Sequence, residues 1–190
     1  MNMSARAEAI RRAKEYLAQQ PVFLDTETTG IGPNAEIVEI SVVDFDGTVL
    51  VDTLVKPRGA IELGAQRVHG ITAEMLDSAP GWDVVWPEVK IALAERAVGI
   101  FNADFDTRMM QQSHQLNRMQ WQQPKGEYFC VMRLYAQFYG QWNSRRGSYR
   151  WQSLENARAQ CRLQTPNSHR ALDDTRLARE VLLYMAAARA

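Results

Sequence analysis

The sequence has 190 residues and is 46% hydrophobic, which is enough to form one core, so we expect a single catalytic or binding domain. Lys and Arg together number 22, as do Asp and Glu, and this balance does not decide for or against nucleic acid, because an acidic metal site can offset a basic groove. The two cysteines, Cys130 and Cys161, exclude a disulfide framework and a cysteine-based zinc site.

The first 20 residues predict an amphipathic helix. Charged residues occur throughout this segment, which is unlike a signal peptide, and Ile10, Ala13 and Leu17 recur at helical spacing. We therefore divide the chain into an N-terminal helix over 1–20 and a main domain over 21–190. No apolar run approaches membrane-spanning length, so we expect a soluble, cytoplasmic protein that has no membrane partner.

The main domain begins with strands. Residues 21–27 predict a strand, and two β-rich runs within 36–57 flank Asp46-Gly47, a strong hairpin signal, so three consecutive antiparallel strands are expected. Strands and helices then alternate: the predicted elements are short helical turns over 64–79, a helix over 84–95, strands at 97–101 and 127–130, and helices over 102–116, 131–139, near 154 and over 170–185. The pattern predicts an α/β fold in which helices flank a mixed β-sheet.

The stretch "VFLDTETTG" places two carboxylates, Asp25 and Glu27, on the same face of the first strand. An edge strand with two solvated acids would explain them. The apolar run of Val22, Phe23 and Leu24 instead favours a central strand that is buried on both faces. Two carboxylates about 4 Å apart would repel by roughly 4 kcal/mol at an effective dielectric near 20, and a bound cation would remove this cost.

Two later segments offer further ligands. Asp104 and Asp106 follow a predicted strand, where sites in α/β proteins cluster, and we expect Asp104 to cap the helix that starts there. In the last helix Asp174 lies on the inward-facing stripe, whereas Asp173 lies on a more polar face. His169 precedes this helix and is expected to face the same cleft. This set of four carboxylates and a histidine fits two Mg²⁺ or Mn²⁺ ions with histidine as general base.

Three motifs carry a family resemblance. "FLDTETTG", "NADFD" and "HRALDD" resemble, in order, the motifs of the DnaQ-like, or DEDDh, 3′–5′ exonucleases, which include polymerase proofreading subunits, RNase T, oligoribonuclease and exonuclease X. "RVHGIT" is similar to the segment between the first two motifs. The resemblance implies an RNase H-like fold for 21–190 and His169 as general base. It also implies four metal ligands: Asp25, Glu27, Asp106 and Asp174.

The same resemblance implies a metal-dependent 3′–5′ exonuclease that releases nucleoside 5′-monophosphates from single-stranded DNA or RNA ends. Losing His169 should then lower the rate by about 10²–10⁴. Thr28, His69 and Phe105 are expected to contact the terminal nucleotide, and core packing explains Phe105 equally well. Asn102 is expected to fix the local backbone.

The sequence departs from the family pattern at two positions. Phe101 stands where many relatives have histidine before the asparagine, which removes a polar contact. Asp104 adds an acid beside Asp106, the residue that the resemblance assigns as the third metal ligand.

The segment 141–151 interleaves aromatic residues with arginines, as single-strand channels do. A mobile, solvated loop explains this composition slightly better than a single-strand channel does. The aromatic residues are Trp142, Tyr149 and Trp151, and the arginines are Arg145, Arg146 and Arg150.

The expected partners are single-stranded DNA or RNA 3′ ends, and a homodimer is a further possibility because several relatives are dimers. A polymerase partner is less expected, since the sequence has no long C-terminal tail. A non-catalytic nucleic-acid-binding or scaffold module on the same fold is the alternative function, and an endonuclease of the RNase H-like class is a third.

Overall fold

The computed structural model describes residues 4–189, so residues 1–3 and 190 lie outside the description that follows. The helices of the described chain are α1 (Ala5–Ala18), α2 (Leu63–His69), α3 (Ala73–Leu76), α4 (Trp82–Leu93), α5 (Ala103–Leu116), α6 (Val131–Tyr139), α7 (Leu154–Cys161) and α8 (Ala171–Ala187). Its strands are β1 (Val22–Thr28), β2 (Ile37–Val43), β3 (Val49–Leu54), β4 (Val98–Ile100), β5 (Tyr128–Cys130), β6 (Trp142–Asn143) and β7 (Ser148–Tyr149).

The main sheet has five strands in the order β3-β2-β1-β4-β5. β1 pairs antiparallel with β2, and β2 pairs antiparallel with β3, whereas β4 and β5 run parallel to β1. The prediction of an α/β fold with a mixed sheet that starts with three antiparallel strands is therefore confirmed. Because β1, β4 and β5 are parallel, their carboxyl ends lie at the same edge of the sheet.

β1 is the central strand because its apolar residues bury both of its faces. Val22, Phe23 and Leu24 have no exposed surface. Phe23 packs with side chains from α1, α6 and α8, whereas Val22 and Leu24 pack with side chains from α4 and α5. The sheet is thus enclosed between two helical layers, and the side chains of β1 alternate between them.

Helix α1 packs against α6 and α8 on one of these layers. Its Ala9, Ile10 and Ala13 are buried, and the Tyr16 ring stacks on Phe129 of β5 at a centroid distance of 3.8 Å. The division of the chain after residue 20 stays a prediction. Within residues 4–189, no helix combines the length and the apolar character that crossing a membrane requires.

The segment 141–151, predicted as a mobile, solvated loop, contains β6 and β7, which form a two-stranded antiparallel ribbon. The Asn143 side chain accepts hydrogen bonds from the backbone N–H groups of Arg145 and Arg146. Gly147 in the same turn has a φ of 60°, in the left-handed region that favours glycine. The sequence pattern did not indicate this ribbon because each strand has only two residues, too few for a visible alternation.

Gly99 tests how tightly the layer on the α8 side of the sheet is packed. A Cβ atom at this position would lie 2.7 Å from Phe129 Cζ and 2.9 Å from Phe23 Cδ1, and both rings are buried. Gly99→Ala should therefore lower the free energy of unfolding by about 1–3 kcal/mol, as overpacking does. Chemical denaturation measures this change.

Gly64→Ala in α2 is the matched control, because a Cβ atom at Gly64 would have no neighbour within 4 Å. Alanine is the better helix former, so this variant should unfold at the same or a higher denaturant concentration. Equal destabilisation by both substitutions would contradict the packing argument.

Candidate active site

Three carboxylates converge at the carboxyl end of β1. Asp25 and Glu27 follow Phe23 at alternate positions, so they share the sheet face on which α8 packs. Asp174 lies in the first turn of α8 and points to the same place. One carboxylate oxygen of each residue lies within 4.8 Å of an oxygen of the other two. The structure thus brings together two residues of one strand and a third residue about 150 positions later in the chain.

Asp106 approaches this carboxylate cluster from the other side of the sheet. It is buried in the first turn of α5, where Thr26 Oγ1 donates a 2.7 Å hydrogen bond to its Oδ1 atom. Thr26 lies between Asp25 and Glu27 and therefore points to the opposite face. Asp106 falls outside the three residues that share the 4.8 Å spacing, but its charge is close enough to raise the pKa of Asp25 further, after burial.

Burial raises the pKa of every carboxyl group in this set. It raises the pKa of Asp106 and of Asp174 to about 7 and that of Glu27 to about 8. The pKa of Asp25 is raised as well, first by burial and then by the charges of Asp106 and Glu27. Among the described residues, no Lys or Arg forms an ion pair with these four carboxylates. The ionised cluster is therefore costly unless a cation neutralises it.

His169 lies at the rim of the cluster. Its Nδ1 atom is 3.9 Å from Asp174 Oδ2, and half of its side chain (51%) is exposed to solvent. Its backbone has a φ of 53°, in the left-handed region, which turns the chain immediately before α8. The imidazole is thus adjacent to the carboxylates and still open to water.

Asn167 also belongs to the site, although the sequence did not single it out. Its amide nitrogen lies 2.9 Å from Oδ1 and 3.0 Å from Oδ2 of Asp174 when it is oriented to donate to both. An asparagine in "TPNS" is typical of a turn, so the sequence carried no signal for this contact. Asn167 holds the Asp174 carboxylate by neutral hydrogen bonds that leave its charge in place.

Glu39 is the second residue that the sequence analysis missed. It lies opposite Glu27 in the β1–β2 pairing and is buried. Its carboxylate accepts hydrogen bonds from Arg170 Nε at 3.0 Å and from the Ala171 backbone N–H at 2.8 Å. This link fixes the start of α8 to β2, and hence fixes Asp174 relative to β1. A single glutamate within the buried run "IVEISVV" was the available signal.

A cavity of about 320 Å³ opens beside Glu27, and its lining includes Thr28, His69 and Phe105, the three predicted nucleotide contacts. The Ile71 N–H donates to His69 Nδ1 at 3.0 Å, so Nε2 carries the proton and donates to the Thr28 carbonyl at 3.1 Å. Both ring nitrogens of His69 are therefore engaged by backbone. Phe105 lines this cavity and also packs on the core, and its contact with a nucleotide stays a prediction.

The prediction that Asp104 caps α5 is wrong. The N-cap residue is Asn102, whose side chain makes no capping hydrogen bond. Asp104 is the second residue of the helix, after Ala103. There it is exposed and pairs with Arg133, away from the carboxylate cluster. The second motif therefore directs only Asp106 into the site, while Phe101 is buried in the core.

Glu27→Gln tests the electrostatic cost of the cluster in metal-free protein. The folded-state pKa of Glu27 is raised to about 8 from 4.5. The stability that protonated Glu27 contributes is therefore fully present below about pH 4.5 and is lost as the pH rises through 8. The stability of wild type relative to Glu27→Gln should thus fall by up to about 1.4 kcal/mol per pH unit across this range.

Denaturation in chelator at several pH values measures this difference, and the same series with Asp104→Asn controls for the loss of an exposed carboxylate. Adding Mg²⁺ should reverse the trend in wild type, since a bound cation favours the ionised form. A pH-independent difference between wild type and Glu27→Gln would refute this account of the cluster.

Arg170→Gln tests the link between α8 and the sheet. The buried Glu39 carboxylate would lose its charged donor and keep only the Ala171 N–H, so the free energy of unfolding should fall by about 1.5–3 kcal/mol. Arg176 is exposed on the same helix and forms no ion pair with a described residue. Arg176→Gln should change stability by less than about 0.5 kcal/mol, and similar losses in both variants would argue against a special role for Glu39.

Comparison with known proteins identifies related sequences over most of the chain. A family model described as "Exonuclease" matches residues 22–182. A protein of Escherichia phage 186, named uncharacterized exonuclease CP81, is 38% identical over 174 residues, which are 88% of this chain and 88% of that protein. DNA polymerase III PolC-type of Thermotoga maritima is 30% identical over 167 residues, which are 85% of this chain and 11% of that polymerase.

Solved structures agree with this assignment. Exonuclease X, in complex with 5′ overhanging duplex DNA, superposes with a TM-score of 0.63 at 27% identity and covers 86% of this chain and 88% of that one. The nuclease domain of 3′hExo, a DEDDh family member, superposes with a TM-score of 0.68 at 17% identity over 86% of this chain and 89% of that one, and so supports the fold. The chain therefore belongs to the exonuclease family and has the RNase H-like fold.

Proposed function

We propose that this protein is a metal-dependent 3′–5′ exonuclease that releases nucleoside 5′-monophosphates from single-stranded DNA or RNA ends. The observation that carries this proposal is the cluster of Asp25, Glu27 and Asp174, whose oxygens lie within 4.8 Å of one another without a Lys or Arg partner among the described residues. Carboxylates so placed are stable in the ionised form only around a cation, and phosphodiester hydrolysis uses such a cation directly.

The donor set fits hard divalent cations. All candidate ligands are carboxylate oxygens, which Mg²⁺ and Mn²⁺ prefer, and the site contains no cysteine. Asp25, Glu27 and Asp174 would hold one ion, and Asp106 together with Asp25 would hold a second. Bound ions of this kind supply Lewis-acid activation of water and neutralise the phosphate charge.

The protein's own residues would perform the proton transfer and hold the site in position. His169 is exposed beside Asp174, which supports its role as the base that accepts the proton of the attacking water. Asn167 orients the Asp174 carboxylate through its two hydrogen bonds. Glu39 and Arg170 hold the start of α8, which keeps His169 and Asp174 in position relative to β1.

The cavity beside Glu27 supports action on a chain end. Its volume of about 320 Å³ accommodates a single nucleotide, and Phe105 presents an aromatic surface on which a base can stack. Val68 and Ile31, which are largely exposed, also line this cavity. The related exonuclease X is described with 5′ overhanging duplex DNA, in which the recessed strand ends in a 3′ terminus, and this supports the 3′–5′ direction.

The test is an assay on 5′-labelled single-stranded DNA and RNA with Mg²⁺, Mn²⁺ or chelator. Wild type should shorten the strands stepwise from the 3′ end only when metal is present. Asp106→Asn should lower the rate by about 10²-fold or more, because the substitution removes an ionic ligand from the buried site. Asp104→Asn, two positions away on the exposed face of α5, should retain the wild-type rate.

Each outcome discriminates between functions. Internal fragments of mixed length would indicate an endonuclease on the same fold. Strands that bind but stay intact with either metal would indicate a non-catalytic nucleic-acid-binding module. Equal loss in Asp104→Asn and Asp106→Asn would contradict the ligand assignment, whereas the relative rates on DNA and RNA decide the substrate.

A further inference from the structure

The ribbon formed by residues 141–151, together with its turn, is a feature that the metal site does not use. Trp142 pairs with Tyr149 across β6 and β7, and their rings meet edge-to-face at a centroid distance of 5.1 Å. Arg150 closes the ribbon by donating its backbone N–H to the Gln141 carbonyl at 2.8 Å. The ribbon is therefore an ordered element with a fixed presentation of its side chains.

All charged side chains of this ribbon are positive. Arg145, Arg146 and Arg150 are exposed, the sequence from 141 to 153 contains no Asp or Glu, and none of the three arginines makes an ion pair with a described residue. The whole chain has a formal net charge of zero, so three unpaired positive charges on one short segment are a local concentration. Such a surface attracts a polyanion.

The shape of the ribbon suits bases as well as phosphates. An open cavity of about 750 Å³ is lined by its Asn143, Arg145, Arg146, Ser148, Tyr149 and Arg150 and by Trp151. The two tryptophans, Trp142 and Trp151, are 56% and 60% exposed. Large aromatic side chains left in water next to arginines are what single-strand-binding surfaces use, because every unpaired base has a face that can stack.

The ribbon is joined to the candidate active site by a short connection. α7 begins three residues after Trp151, and Glu155 lies in its first turn. α7 packs against α8, whose first turn carries Asp174, so the connection leads from the ribbon towards the carboxylate cluster. Four residues of extended chain span at most about 14 Å, so Trp151 lies close to the start of a helix that packs on α8.

We propose that the ribbon binds the single-stranded part of the substrate a few nucleotides on the 5′ side of the bond that is cut, with its arginines on phosphates and its tryptophans on bases. This proposal rests on the proposed exonuclease function and extends it to an upstream strand-binding surface. A duplex would hide the base faces, so the ribbon should prefer a single strand.

Binding is measured with a fluorescent 12-nucleotide strand in an Asp106→Asn background and in chelator, because cleavage is expected to need both the metal and its ligands. The ribbon variant Arg145→Gln, Arg146→Gln, Arg150→Gln should bind more weakly, and its slope of log K against log salt should be smaller in magnitude by about 0.7 per lost phosphate contact, or about 2 in total. Replacing Trp142 and Trp151 by alanine should weaken binding by about tenfold per ring without changing this slope.

The matched control removes three exposed charges elsewhere: Lys90→Gln, Arg118→Gln, Lys125→Gln. Lys90 lies in the last turn of α4, Arg118 follows α5 and Lys125 precedes β5, so all three lie near the edge of the sheet where β4 and β5 begin, opposite the carboxylate cluster. The control variant should retain the wild-type affinity and salt slope. Equal losses in the control and ribbon variants would overturn the proposal, as would equal losses on single-stranded and blunt duplex DNA.

Catalysis separates this proposal from the exonuclease proposal. With otherwise wild-type protein, the ratio of kcat/KM for the 12-nucleotide strand to that for a dinucleotide should fall at least tenfold in the ribbon variant and stay unchanged in the control. Degradation of both substrates with an unchanged ratio would overturn the ribbon proposal alone. No degradation by wild type would overturn the exonuclease proposal, while the binding experiment would still decide the role of the ribbon.

Discussion

Electrostatic repulsion among the carboxylates at the end of β1 is the constraint on which the rest of this structure depends. Carboxylate oxygens of Asp25, Glu27 and Asp174 lie close enough together for one ion to contact all three, and burial raises the pKa of each residue. The fold sustains this cost because β1 is enclosed on both faces by apolar side chains. The hydrophobic layers on either side of the sheet thus hold in place a group of charges that would otherwise separate.

The neighbouring glutamates Glu27 and Glu39 show how the same residue type is used in two ways. They lie opposite each other on paired strands and face the same helix. Glu39 is paired with the guanidinium of Arg170 and with a backbone N–H, so its charge is neutralised inside the protein. Glu27 has no such partner among the described residues, so a bound ligand would have to neutralise its charge. A buried carboxylate that is neutralised by the protein is structural, and one that is not is a candidate for function.

The parts of this structure that could be predicted from the sequence are those that local periodicity determines. Alternation along β1 predicted that Asp25 and Glu27 share a face, and the helical period separated the buried Asp174 from Asp173. Glu39 was missed because its partner is 131 residues away, a separation at which no pattern in the chain connects the two. Asp104 was misplaced because the cap of α5 depends on where β4 ends, which periodicity does not fix.

The contrast between Asp174 and His169 has a consequence for turnover. Asp174 belongs to a helix that is fastened to the sheet, whereas His169 precedes that helix in a left-handed turn with half of its side chain in water. If His169 is the base of the proposed reaction, an imidazole in this position would pass its proton directly to bulk solvent without an internal relay. In the proposed reaction, the rigid part of the site would therefore set the geometry, and the solvent-facing imidazole would return to its starting form between cycles.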